Sequence, residues 1–207
     1  MRKRYSFALF ILFISFFTSC LPNVAPMYYI AQEAKDYTIF QAGSYWVYQN
    51  VATLQKDTNS LLSTNLVMNT ASVTLKYQYE SHQSKMRSSF YQENMTYTTA
   101  ANWGTEGRTI TRFKFDNYNW DDRYVFLANT PVGTGLLESI VYANYYEKYE
   151  VAGKTYTEVR EFYITDETEP IDQRTPRYVW FAKNVGIIKK RLFNGETWEL
   201  IQHEVKQ

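Results

Sequence analysis

A periodicity of two is what most constrains this chain. Along Ser72-Val-Thr-Leu-Lys-Tyr-Gln-Tyr-Glu80, the apolar residues Val73, Leu75, Tyr77 and Tyr79 fall on one side of an extended strand and the polar ones on the other. Only a half-buried strand needs that alternation. Similar short runs, punctuated by Gly, Asn and Asp, predict strands at 44–52, 62–68, 84–91, 94–99, 108–115, 123–128, 138–151, 155–165, 177–182, 186–193 and 196–205. No segment of ten or more residues carries a helical stripe, which argues against parallel βαβ units and for an antiparallel meander. The aromatic share of 18%, with 19 Tyr, agrees, since Tyr, Val and Thr favour strands. The irregular stretch from Asp166 to Pro176, with two prolines and four acids, reads as a solvent-facing loop or as one containing a single helical turn.

The first residues have a different texture. Arg2, Lys3 and Arg4 precede an apolar run from Phe7 to Phe17. Such a run makes a helix of about 16 Å, far short of the roughly 30 Å hydrocarbon core, so it reads as a signal peptide and not as a span. Its end, Phe17-Thr18-Ser19-Cys20, resembles the lipobox at which bacteria attach diacylglycerol before cleavage, with Phe17 where Leu is usual. Cys20 is the single cysteine, and lipidation removes a thiol that an oxidising compartment would attack. The expected division is a lipoprotein signal peptide over 1–19, a lipidated cysteine and tether over 20–37, and an antiparallel β domain over 38–207. A short stretch, Tyr28 to Lys35, is compatible with a helical turn or two within the tether. Two or three acyl chains give stable anchoring to a membrane. The tail Leu21-Pro-Asn-Val-Ala-Pro26 holds no acid, which by resemblance to lipoprotein sorting rules predicts the periplasmic face of the outer membrane.

Removing the signal peptide takes three of 22 basic residues and none of 21 acidic ones, leaving a net charge near −2. A near-neutral domain without basic runs is a poor nucleic-acid partner. Candidate chemistry is sparse. With Cys20 used as anchor, the remaining general bases of note are His82, in a predicted turn Glu80-Ser-His-Gln-Ser84, and His203 in the last strand. No H-E-x-x-H, G-x-S-x-G or S-x-x-K motif accompanies them. Asp121-Asp122 beside Trp120 is the most carboxylate-rich cluster, but neighbours on a strand face opposite ways, so a solvated turn is the better reading. Asn117, Asn119 and Asp121 only echo a calcium loop, because Asp122 stands where Gly is needed and Ala128 where Glu is needed. Asn94-Met-Thr96 is a sequon in form alone. The expectation is a non-enzymatic protein with no catalytic residue, metal or cofactor.

The final hairpin allows a register to be written. Asn194-Gly195 between two alternating runs predicts a two-residue turn with positive φ at both positions. Phe193 then faces Glu196, Lys190 meets Glu199, Ile188 meets Ile201, Arg191 meets Trp198 and Lys189 meets Leu200.

Two segments and the closing strand carry a resemblance. Phe40-Gln-Ala-Gly43-Ser-Tyr45-Trp46-Val-Tyr48, then Phe181-Ala-Lys-Asn-Val-Gly186-Ile-Ile-Lys189, and Trp198-Glu-Leu200 resemble, with the lipobox, the small cell-envelope lipoproteins of the Bacteroidota. The likeness spans about 38–205 and is specific at its two ends. It implies a mainly β fold, a single antiparallel, strongly curved sheet or half-barrel with little helix; a β-sandwich or closed barrel is the alternative. It brings no catalytic residues. Trp46 and Tyr48 share one strand face, where they either close one end of the core or line a ligand groove. The function expected is a membrane-anchored lipoprotein whose concave aromatic face, with Trp46, Tyr48, Tyr77 and Tyr79 as candidate binding residues, holds an apolar ligand or an envelope protein. The alternatives are a glycan-binding module and a purely structural envelope protein.

Overall fold

A computed structural model describes residues 26–71, 77–101, 108–117, 123–136, 140–165 and 172–207. Cys20, Val73, Leu75, Asn119, the Trp120-Asp121-Asp122 cluster and residues 166–171 of the acidic loop lie outside the described residues.

The chain forms one curved antiparallel sheet with a single short helix. In order it runs β1 (Met27–Tyr28), α1 (Gln32–Thr38), β2 (Tyr45–Asn50), β3 (Lys56–Ala71), β4 (Tyr77–Ser88), β5 (Asn94–Ala101), β6 (Thr109–Phe115), β7 (Arg123–Ala128), β8 (Gly135–Leu136), β9 (Ile140–Val151), β10 (Lys154–Tyr163), β11 (Pro176–Ala182), β12 (Gly186–Leu192) and β13 (Thr197–Glu204). Consecutive strands neighbour one another in two meanders, β2 to β7 and β8 to β13, and the meanders join where β2 pairs with β13. The sheet ends at β7 on one side and at the two-residue β8 on the other; β7 and the length of β9 that β8 leaves uncovered approach without a hydrogen-bonded ladder, leaving a nearly closed barrel with one open seam.

Side chains seal that seam. Phe126 of β7 packs on Phe162 of β10 and Phe181 of β11, at ring centroid distances of 4.9 and 5.1 Å. Residues 30–38, read from sequence within the tether, are built into the core: Ile30, Ala34 and Tyr37 are buried, and the Tyr37 ring lies 5.3 Å from Phe126. Glu33 pairs with Arg160 of β10 while its second oxygen accepts from the Asn129 amide. The Tyr37 hydroxyl donates to the Glu158 carbonyl at 2.8 Å. The helix thus plugs one mouth of the barrel. The opposite mouth is closed by Phe90 and Tyr91, which follow β4, packed on Trp198 and Phe115, with Arg174 over the Tyr91 and Phe115 rings and paired with Asp172 and Glu93.

Two expectations need correction. The turn predicted at Glu80–Ser84 does not exist: β4 is one strand from Tyr77 to Ser88, with His82 in its middle. The inward residues there are the even-numbered Glu80, His82, Ser84, Met86 and Ser88. Their polar groups find partners inside the barrel, as when Glu80 accepts from the Ile30 amide at 2.8 Å, so tertiary context overrides a polar run that reads locally as a loop.

The last hairpin is shifted by one residue. Lys189 faces Glu199, Lys190 faces Trp198 and Arg191 faces Thr197. The cause is the loop: the Gly195 amide donates to Leu192 O and the Leu192 amide to Glu196 O, which makes a three-residue connection with Gly195 alone at positive φ, +88°. Asn194 keeps negative φ and uses its side chain to accept from the Glu196 amide at 3.0 Å. A type I turn closed by a glycine bulge fits the strand twist as well as the two-residue turn, and displaces the register by one. Gly195→Val therefore lowers unfolding stability by about 1–2 kcal/mol, while Asn194→Ala costs at most about 1 kcal/mol. Urea unfolding checks this, and the two-residue geometry returns if both substitutions cost the same.

Candidate functional site

Two segments distant in sequence, 40–48 and 181–189, meet inside the barrel. Trp46 and Tyr48 project inward from β2 and reach past the intervening β13, so that the Trp46 indole N–H donates to Val185 O at 2.6 Å and the Tyr48 hydroxyl to Ile187 O at 2.8 Å. Gly186, between those carbonyls, has φ +91°, and a Cβ there would stand 3.1 Å from the Phe40 ring. Phe40 in turn meets Trp46 edge-on at 5.2 Å. Both candidate rings are buried and their polar atoms are committed to backbone carbonyls. Burial pushes the Tyr48 hydroxyl well above its ordinary pKa.

Below these rings the interior is partly polar. Asp57 accepts from the Ser88 hydroxyl at 2.7 Å and from the Phe90 amide at 3.1 Å, leaving its second oxygen without a hydrogen-bond partner. The Asn59 side-chain oxygen is likewise unpartnered. Lys190 projects inward from β12 with its ammonium 4.7 Å from the Tyr48 ring centroid. Burial lowers its pKa, against the pull of Asp57 and Glu196. A cavity of about 40 Å³ lies among Tyr37, Tyr48, Asn59, Ser84, Met86 and Tyr97. Small-molecule pockets run to about 300–1,000 Å³. With α1 in place this cavity is too small for such a ligand.

Tyr77 and Tyr79 sit elsewhere. They lie at the hairpin end of β4, 6.2 Å apart, with Tyr28 of β1 meeting Tyr77 edge-on at 5.9 Å. The structure thus separates the four candidates into an inner pair and a pair on the β3–β4 hairpin.

That hairpin was not apparent as a unit in the sequence. From Leu62 to Ala71 the outer edge of β3 has no strand beside it among the described residues, because β2 pairs only with Lys56 to Ser60. Leu62, Leu66, Val67 and Met68 are exposed along it. By the register, Leu66 and Met68 share the face of His82 and Glu80, and Val67 that of Ser81, so apolar side chains emerge on both faces. A groove of about 290 Å³ runs between this hairpin and α1, bounded by Lys35, Asp36, Ile39, Thr64 and His82. The signal available was a ten-residue stretch, Leu62 to Ala71, without a single charge.

Two further clusters were weighed for chemistry. Ser84 Oγ lies 3.3 Å from His82 Nδ1, and Glu80 follows on the same face. Glu80 is engaged by the Ile30 amide and Lys35, and Ser84 opens only onto the small cavity, so no substrate reaches the hydroxyl with the helix docked. His203 packs 6.4 Å from the Tyr156 ring. Among the described residues no cluster of three or more His, Cys, Asp or Glu is arranged to hold a metal. On the outer face, Tyr163, Tyr178 and Trp180 stack at 4.7 and 6.1 Å, with Arg177, Arg191 and Lys189 against the same rings. Those ring faces are taken up by one another and by the cations, which leaves little for a sugar to stack on.

No family model, curated protein or solved structure matches this chain.

Two predictions follow from the buried charges. Lys190→Met leaves stability unchanged or raises it, since desolvation outweighs the attraction of its neighbours, whereas Asp57→Ala lowers stability by about 1–3 kcal/mol by stripping two buried donors of their acceptor. Thermal melts of both variants test the contrast, and a large loss in Lys190→Met would contradict it. Burial lowers the pKa of His82, with Glu80 opposing, and burial together with Lys154 lowers that of His203. Both fold neutral, so the stability they allow is complete above about pH 6.5 and is lost as pH falls through that value towards their folded pKa values. The urea midpoint of wild type should fall over that window, and less so in the His82→Gln/His203→Gln variant.

Proposed function

We propose that the chain is a non-enzymatic envelope lipoprotein, anchored by lipid on Cys20 to the periplasmic face of the outer membrane, that meets an apolar ligand or envelope partner where its concave face runs out of the barrel along the β3–β4 hairpin. The observation that carries this reading is the distribution of exposed large apolar side chains. Leu62, Leu66, Val67 and Met68 on β3, with Met27 and Tyr29 beside the hairpin, make up six of the eleven such residues among the described ones. Contiguous exposed apolar surface marks an interaction site more often than scattered single residues do. The small cavity moves the expected apolar contact from the barrel lumen to its rim, with Tyr77 and Tyr79 nearer to it than Trp46 and Tyr48.

The small cavity also favours a second reading, a structural envelope protein that binds no small ligand. The two share an anchor and differ in what covers the hairpin. Lipid attachment at Cys20 is supported by the basic start, the short apolar run and the lipobox-like Phe17-Thr18-Ser19-Cys20.

Fractionation provides the test. Wild type incorporates radiolabelled fatty acid, sediments with outer-membrane vesicles and survives protease added to intact cells. Cys20→Ala loses the label and is not processed at residue 20. A Cys20→Ala chain that is cut and sedimented like wild type would remove the anchor from this reading, and digestion of wild type on intact cells would move it to the outer surface.

A further inference from the structure

We propose that the β3–β4 hairpin beyond the barrel rim is a membrane-contact arm whose Leu62, Leu66, Val67 and Met68, together with Met27 and Tyr29, rest in the headgroup region of the bilayer that holds Cys20. This deepens the function proposed above and rests on the lipid anchor.

The arm has the wrong surface for water. Exposed strand edges in soluble proteins are guarded by charges, prolines or bulges that discourage pairing. Here ten successive residues, Leu62 to Ala71, expose a free edge of roughly 30 Å with no charge and no proline. Leu66 is 59% exposed, Met68 41% and Val67 39%. Because these residues alternate between the two faces, a cover lying on one face alone leaves the other apolar set in water. A lipid interface closes over both.

The tether leads to the same place. β1 pairs in parallel with β4 at Met27↔Gln78 and Tyr28↔Tyr79, beyond the end of β5, and Pro26 O accepts from the Gln78 amide at 2.9 Å. β4 runs from the hairpin end towards the barrel, so a parallel β1 is entered from the hairpin end. Five residues lie between Cys20 and Pro26, a covalent reach of at most about 22 Å. A lipid on Cys20 therefore holds the hairpin end of the barrel close to the bilayer.

The depth follows from the polar half of the strand. Ser63, Thr64 and Asn65 precede the apolar triplet Leu66 to Met68 and Asn69 and Thr70 follow it, and the edge backbone groups need partners. Unsatisfied backbone in hydrocarbon is prohibitive, whereas water and headgroups in the interface satisfy it. Tyr28, Tyr29, Tyr77 and Tyr79 cluster there with amphipathic rings of the kind enriched at that depth.

The test uses the full lipidated chain purified from its membrane and reconstituted in phosphatidylethanolamine–phosphatidylglycerol vesicles. Lipid on Cys20 leaves no free thiol, so Leu66→Cys, Val67→Cys and, as reference, Thr53→Cys each take one environment-sensitive dye. Thr53 is exposed in the turn before β3, at the far end of that strand from the arm. The expected result is quenching of roughly twofold or more by nitroxide-bearing lipids at 66 and 67 and almost none at 53, with aqueous iodide giving the reverse order. Iodide access at 66 and 67 equal to that at 53, with one dye per chain, overturns the arm while leaving the anchor intact. The same outcome in vesicles combined with protection in native envelopes also overturns it and assigns the edge to a protein strand. Two dyes per chain reveal a free Cys20, so that the anchor fails and the arm with it.

Discussion

A sheet that curls on itself but does not complete its ladder needs something else to hold its two edges, and here that is α1. Between β7 and β9 the missing backbone bonds are replaced by a stack of rings, Tyr37, Phe126, Phe162 and Phe181, and by one charged contact. Arg160 lies against the Tyr37 and Tyr142 rings while pairing with Glu33, and Glu33 also takes the Asn129 amide just past β7. The helix is thus bonded to both sides of the seam. Half-buried ion pairs of this kind contribute specificity of placement as much as stability, since removing one partner strands the other charge. Everything inside the barrel, including the small size of its cavity, follows from that helix being in place.

The second constraint is the reach of Trp46 and Tyr48 across β13. Aromatic residues with a polar atom are buried at low cost only if that atom finds a partner. Here the partners are carbonyls at the start of β12, opened to the approaching rings by Gly186. Segments about 140 residues apart in sequence therefore depend on each other directly. The fit between 40–48 and 181–189 is therefore exacting, since a ring, a carbonyl and a glycine must meet there, whereas the strands between them need only present alternate faces.

Most strands were legible because alternation is local and loud, as in β2, β6, β11 and β13. Two kinds of information were not. Glu80-Ser-His-Gln-Ser84 reads as a turn because its partners, Ile30 just before α1 and Lys35 within it, come from some 50 residues earlier, and no local rule contains them. The register after Phe193 hinged on whether one or two residues take positive φ at Asn194-Gly195, a choice the dipeptide leaves open. As for the candidate site, Tyr77 and Tyr79 were placed on a strand correctly, but sequence gave no means of knowing that β3 and β4 outrun their neighbours. Protrusion depends on the lengths of β2 and β5, and emerges only when the strands are paired.

The joining of β2 to β13 has a cost in time. Tyr48 and Leu200 face each other across that ladder although about 150 residues separate them. Closing a loop of that length costs roughly 4 kcal/mol of chain entropy beyond the constant term before any contact rewards it. The two meanders, whose hairpins close over short loops, are positioned to form first, with ring closure as the late and slow step. Until β13 docks, the chain is a pair of open sheets with sticky edges, a state in which pairing with another unfinished copy competes with ring closure.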